Sequence, residues 1–351
     1  MRLLVAILFL TSLAGFSPAK AMDMDFAQAV MRDAIGDTTG TKVSDEMVRT
    51  MLRGALEQHG NMSLVTQNFA SVESMHDKLQ EKGFRLADGD LAEVAYLDDL
   101  KAYVLGVFAP EFVYPNWARK SPQSALPRLI YASTRLSQAA EMKRASIYVP
   151  TADQYAPADM EVIAATRKYL LLNKDVAAKS GYWYNLMIEI AILEGSTADD
   201  VKGIVGEGLA AFPDNVQLAV LGSTYFLPKW HGSAEALEDY AIWVSDRVEL
   251  KDRQDVYAQI YAKAIKNHYG LTLFKFATKN WSRMKPSIRK LVANYPGQQN
   301  SNMAAVLACL GGDRELTREL VIRREVVQSS NAYWMDKDAY NLCFNWAVTS
   351  Q

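Results

Sequence analysis

The chain has 351 residues, 38 of them basic and 40 acidic, for a formal charge of −2; 50% are hydrophobic and 22% charged. That much apolar surface offsets chain entropy and excludes a disordered or low-complexity chain, and an even charge balance without blocks argues against nucleic acid as a partner. Only 19 Gly and 11 Pro punctuate it, which favours long elements over many short strands.

Arg2, an apolar run over 3–16 and the small-x-small triplet Ala19-Lys20-Ala21 read as a secretory leader ending at residue 21. The run is shorter than the roughly 20 apolar residues that cross a bilayer, and Pro18 and Lys20 end it. The expected product is periplasmic or secreted, with no stable membrane insertion after cleavage. Residues 22–351 exceed what one compact core readily supports, so two lobes or an elongated stack are expected.

Helical periodicity dominates the chain beyond the leader. Met47, Val48, Met51, Leu52, Ala55 and Leu56 recur at three- and four-residue steps after Ser44, with Gly60 as the expected stop. Phe69, Val72, His76 and Leu79 form a second stripe that Gly83 ends. Leu91 to Phe108 forms a third, closed by Pro110. Ser121-Pro122 reads as N-cap and first-turn proline of a helix running toward Met142, with Pro127 able to shorten its start. These helices make an N-terminal lobe over 22–144. The span 145–159, with Pro150 and Pro157 and no helical stripe, reads as a connector.

A second lobe is expected over 160–351. Tyr182 to Leu193 is apolar almost all round, as a covered central helix would be. Phe212-Pro213 and Tyr295-Pro296 each end one helical pattern and precede another. Two helices joined by a short proline-marked turn are the unit of tetratricopeptide-like solenoids, in which a hairpin buries its apolar face only against its neighbours. The 83-residue offset between the two pairs is not a multiple of 34. The expected fold is therefore all-α: antiparallel hairpins stacked as an irregular tetratricopeptide-like superhelix.

Between Tyr225 and Ser233 the chain reads Tyr-Phe-Leu-Pro-Lys-Trp-His-Gly-Ser, followed by an acidic amphipathic helix. This resembles the signature of a bacterial family, domain of unknown function 4034, whose members commonly carry Pro-Arg/Lys-Trp-Gly-Gly-Ser between two helices. The resemblance implies a tetratricopeptide-like fold in an exported protein and implies no activity. His231 stands where the family has its first glycine, so a left-handed backbone there would be strained. Lys229, Trp230, His231 and Ser233 are candidate binding residues on this turn, beside a reading in which they only join two helices. Trp183, in the run Tyr182-Trp183-Tyr184 that cannot face one way on a helix, is a further candidate. Tyr114, Trp117, Tyr333 and Trp334 lie near expected element ends, where rings reach the surface to recognise peptides or stack on sugars.

No catalytic pattern stands out. The four histidines are dispersed, which supports no metal site, and His76 and His268 sit on apolar faces as core or boundary residues. Ser282-x-x-Lys285 and Ser287-x-x-Lys290 lack the companion motifs of a penicillin-recognising site. Gly203, Gly206 and Gly208 fall inside a helical pattern rather than a phosphate loop. Cys309 and Cys343 could pair in an oxidising compartment; two independent buried thiols are the alternative. No cofactor is implied. The sequence points to a scaffold that holds a protein or peptide in the groove between hairpins; the alternative is a glycan-binding or glycan-acting envelope protein.

Overall fold

The computed structural model describes residues 45–107, 110–145, 157–277, 280–323, 326, 334 and 337–349. The leader, residues 22–44, most of the connector, Val327 and Tyr333 lie outside them.

The described chain is all-α. Its principal helices are α1 (Asp45–Val65), α2 (Phe69–Lys82), α3 (Ala92–Val107), α4 (Pro110–Lys120), α5 (Leu126–Ala145), α6 (Pro157–Leu172), α7 (Tyr182–Glu194) and α8 (Ala198–Ala211). They continue as α9 (Gln217–Gly222), α10 (Ala234–Ser245), α11 (Val256–Ala264), α12 (Trp281–Asn294), α13 (Gln298–Leu310), α14 (Arg314–Val321) and α15 (Lys337–Val348). One packing rule organises them: each odd helix packs against the even helix that comes after it and against the next odd helix, and each even helix also packs on the next odd one. Helix α9 meets α10 through the 3-10 turn Ser223–Phe226 that extends it. Odd helices thus line the inside of a helical superhelix and even helices its outside, with α15 as the closing helix.

Local chemistry explains the boundaries. Asn68 caps α2, its Oδ1 accepting from the Ser71 amide at 3.3 Å, and Gly83 ends it in the left-handed conformation at φ 59°. Thr197 and Asp200 form a capping box on α8. Ser233 caps α10 through the Ala236 amide at 3.1 Å. Gly60 does not stop α1: the helix runs through it, and a Cβ there would stand 2.8 Å from Leu100 Cδ2, so the glycine serves the close approach of α1 to α3. The helix expected from Ser121 starts at Leu126, with Pro127 in its first turn, while Pro110 opens α4 rather than only closing α3. On either side of the connector span, α5 reaches Ala145 and α6 begins at Pro157, and these two helices pack along each other.

Two of the odd helices are covered on nearly all sides. Ten residues of α7 are buried, including Tyr182 through Ile188, and α13 is buried continuously from Asn300 to Ala308. The open groove expected between stacked hairpins is absent along these two inner helices. The turn between α2 and α3 reaches the far end of the stack. Arg85 donates to the Asp214 carbonyl, Gln217 to the Asp90 carboxylate, and Asn300 Nδ2 to the Asp88 carbonyl at 2.7 Å. Gly89, at φ 93°, lies under the Tyr295 ring, where a Cβ would stand 2.9 Å from the nearest ring atoms. Burial, with the Asp88 charge beside it, raises the Asp90 carboxyl to about 6. Helix α2 and the turn after it therefore form a hub against which the connections preceding α5, α7, α9 and α13 converge.

Candidate functional site

The 225–233 segment folds as one turn between α9 and α10. Lys229 and His231 are exposed and Trp230 is half-buried. The Trp230 and Gly232 amides both donate to the Leu227 carbonyl, at 2.9 and 3.3 Å. Backbone at 231 is not left-handed, so the histidine is unstrained; its ring lies 5.0 Å from that of Tyr225. Tightness falls instead on Gly232, where a Cβ would collide with the Phe226 carbonyl. Ser233 is occupied as the cap of α10 and also donates to Glu235 at 2.9 Å. The residues of this turn line neither of the two clefts described below.

Three aromatic candidates are core residues. Trp183 is 3% exposed, donates its indole N–H to the Leu170 carbonyl at 3.2 Å and lies beneath the Lys174 ammonium. A ring covered this way offers no face to a partner. Trp117 and Trp334 are each 1% exposed, with indoles bound to Glu73 and Asn302. His268 is exposed rather than on an apolar face. Ser287 is buried, accepting from the Ala258 amide and donating to the Gln254 carbonyl, so it joins α12 to α11 instead of facing solvent beside Lys290.

Two clefts lie at the hub. Spacing on α2 puts Glu73, His76, Asp77 and Gln80 on one side and the buried Val72, Met75 and Leu79 on the other. Between that polar side, the 121–126 turn and Lys179-Ser180 is a cleft of about 470 Å³. A second, of about 270 Å³, lies between the end of α2 and the 211–215 turn, with Gly181 and Leu91 in its walls. Gln80 borders both and spans the gap, its Nε2 donating to the Lys179 carbonyl at 2.8 Å.

Glu73 is held in place: Oε1 accepts from Trp117 Nε1 at 2.7 Å and Oε2 from Ser121 Oγ at 3.1 Å. Below it, the buried His76 directs Nε2 at Glu93 Oε1, 3.1 Å away, and Nδ1 at Asp77, 3.3 Å away. Burial alone would lower the histidine pKa, but hydrogen bonds and charge from Asp77 and Glu93 raise it to about 9, so the ring is cationic at neutral pH. Ser180 Oγ also donates to Glu93 Oε1, at 2.7 Å. The hydroxyl thus faces the carboxylate, not the imidazole, and the trio is an ion-pair anchor rather than a nucleophile with its base.

One group stands out in the smaller cleft. Asn215 is 1% exposed and both its carboxamide atoms lack a hydrogen-bond partner, which costs a protein about 1–3 kcal/mol per unsatisfied group. Gly181 makes room for it: a Cβ there would stand 2.9 Å from Asn215 Nδ2. No sequence pattern singles out Asn215, which comes after Pro213-Asp214 and reads as an ordinary turn residue. The polar stripe at 73, 76, 77 and 80 was available as a signal, yet its partners in the facing turns, Ser121 and Lys179, are 48 and 99 residues from the groups they bond. Among the described residues no group of His, Cys, Asp and Glu gathers to hold a metal, and no helix is long and apolar enough to cross a membrane.

Cys309 on α13 and Cys343 on α15 form a disulfide, with Cα atoms 5.8 Å apart. Compared with known proteins, the chain matches no family model, no curated protein and no solved structure.

Proposed function

We propose that this chain is an exported helical-repeat scaffold that binds a protein or peptide partner in the cell envelope, and that it does so at the hub clefts. The observation that carries the reading is the buried, unpartnered Asn215 carboxamide in a cleft wall of a repeat stack. Export rests on the leader, and kinship with the family that the 225–233 turn resembles remains part of the proposal. Trp117, Trp183 and Trp334 are buried, so these three rings present no sugar-stacking face, which supports the peptide reading over the glycan one.

A photo-crosslinking residue at Gln123, exposed on the rim of the larger cleft, tests this in the native envelope. One partner protein should be captured there and not from the same group placed at the exposed Lys251, on a turn outside both clefts. Equal capture at both positions, or none at Gln123, would remove the hub clefts as the binding surface.

A further inference from the structure

We infer that the 84–91 turn is an acid-tightened latch: uptake of a proton at the Asp90 carboxyl strengthens the turn's hold on α9 and α13, so that the two ends of the stack are held together more firmly in mild acid than at neutral pH. The inference concerns closure of the stack and does not depend on what the clefts bind.

The turn is built as a single docking piece. Its own backbone is paired, the Leu86 amide donating to the Asp90 carbonyl and the Ala92 amide to the Phe84 carbonyl, each at 2.8 Å. What holds it to the far end of the stack is Arg85 on the Asp214 carbonyl, Asn300 on the Asp88 carbonyl and Gln217 on the Asp90 carboxylate. Gly297 adds a close approach, since a Cβ there would stand 2.7 Å from the Ala87 carbonyl oxygen. Of the three hydrogen bonds, only that of Gln217 ends on a titratable group.

Docking takes the Asp90 carboxylate out of water and sets it beside a second one. Asp88 lies in the same turn, its Oδ1 accepting from the Asp90 amide at 3.1 Å. Gln217 is a neutral donor and leaves the Asp90 charge uncancelled. Arg53 of α1, Lys263 of α11 and Lys266 of the π-helical turn Ile265–Tyr269 that continues α11 draw the charged form through space. Arg53 and Lys266 are exposed, so water and salt screen their pull. Burial and the Asp88 charge outweigh the three cations, and the carboxyl is raised to about 6.

A turn that detaches returns this carboxyl to water and to its ordinary 3.8, so the docked form holds the proton more tightly than the detached one. The gain in docking is complete below pH 3.8 and is lost as pH rises through about 6. From about pH 7.5 to about pH 5 these two values change the docking equilibrium about tenfold. Protonated, Asp90 still offers Oδ1 to Gln217, so acid removes a charge without removing a hydrogen bond.

Hydrogen exchange of the 84–91 amides in the purified chain tests this, with rates corrected for the pH dependence of the chemical step. Protection should rise about tenfold from about pH 7.5 to about pH 5. Asp90→Asn keeps the acceptor for Gln217 and removes the charge, so it should show the acid-state protection at both pH values. Asp88→Asn removes the neighbouring charge and should move the midpoint of the response to lower pH. Protection that stays level or falls toward about pH 5 would overturn the latch. A rise that persists in full in Asp90→Asn would overturn it as well, because the proton would then belong to another group such as His76.

Discussion

At residue 232 the absence of a Cβ decides whether the α9–α10 turn closes. The neighbouring carbonyl of Phe226 occupies that space, and backbone, unlike a side chain, has no rotamer by which to move aside. Gly232→Ala should destabilise the protein by about 2–3 kcal/mol in urea unfolding, while His231→Gly, at a position with ordinary backbone and an exposed ring, should fall within about 0.5 kcal/mol. A loss of several kcal/mol for His231→Gly would mean that the imidazole supports the turn. His76 makes a different single-residue case. Its folded pKa of about 9 exceeds the ordinary 6.5, so the folded state holds the proton more tightly. The resulting stabilisation, up to about 3 kcal/mol, is complete below pH 6.5 and is lost as pH rises through 9. Urea midpoints measured from about pH 6 to about pH 10 should fall accordingly, and His76→Gln should flatten that fall. An unchanged slope in the variant would place the titration elsewhere.

Single elements were the most legible part of the sequence, because a 3.6-residue stripe and a cap are local facts. The stripe 69, 72, 76, 79 became α2 with Gly83 at its end, and the all-round apolar run became the buried α7. The same residue type misled at Gly60, whose reason is the proximity of Leu100 and not a cap; a glycine's local sequence does not say which. At the C-terminal end, α15 packs on α13 and α14 and is tied to α13 by the Cys309–Cys343 disulfide. Its outward side carries Leu342 and Trp346, 70% and 40% exposed, so the helix gains little from burial there. A bridge with 34-residue separation restricts the unfolded chain by about 3–4 kcal/mol in the chain-entropy model. Reduction should lower stability by that order and release α15 first. Hydrogen exchange of α15 amides, compared with those of α7, reads this directly: protection lost equally in both helices would show that the bridge stabilises the whole stack and does not merely pin its last helix.

Across the whole molecule, the stacking of hairpins was foreseeable and its closure was not. Paired helices can be inferred from repeated stripes, but Arg85 meeting Asp214, Gln217 meeting Asp90 and Asn300 meeting Asp88 join residues 127 to 212 positions apart, and no periodicity marks such partners. The two clefts are likewise built from segments far apart in sequence, which is why nothing local marks Glu73 and Asn215 while Trp230 is conspicuous in its motif. Closure also changes how the stack should unfold. In an open solenoid each repeat touches only its neighbours, so damage to one turn weakens the adjacent hairpins and the rest persists. Here the 84–91 turn links the first hairpins to α9 and α13, and its displacement should uncouple the two ends. Gly89→Val is the direct way to displace it: the backbone is left-handed and the Tyr295 ring fills the space a side chain would need. The variant should retain its helical circular dichroism in water, yet unfold in urea over two transitions, with a smaller m-value for the first than for the parent chain. A single transition, shifted in midpoint with m unchanged, would show that packing between successive helices, and not the hub, makes the molecule cooperative.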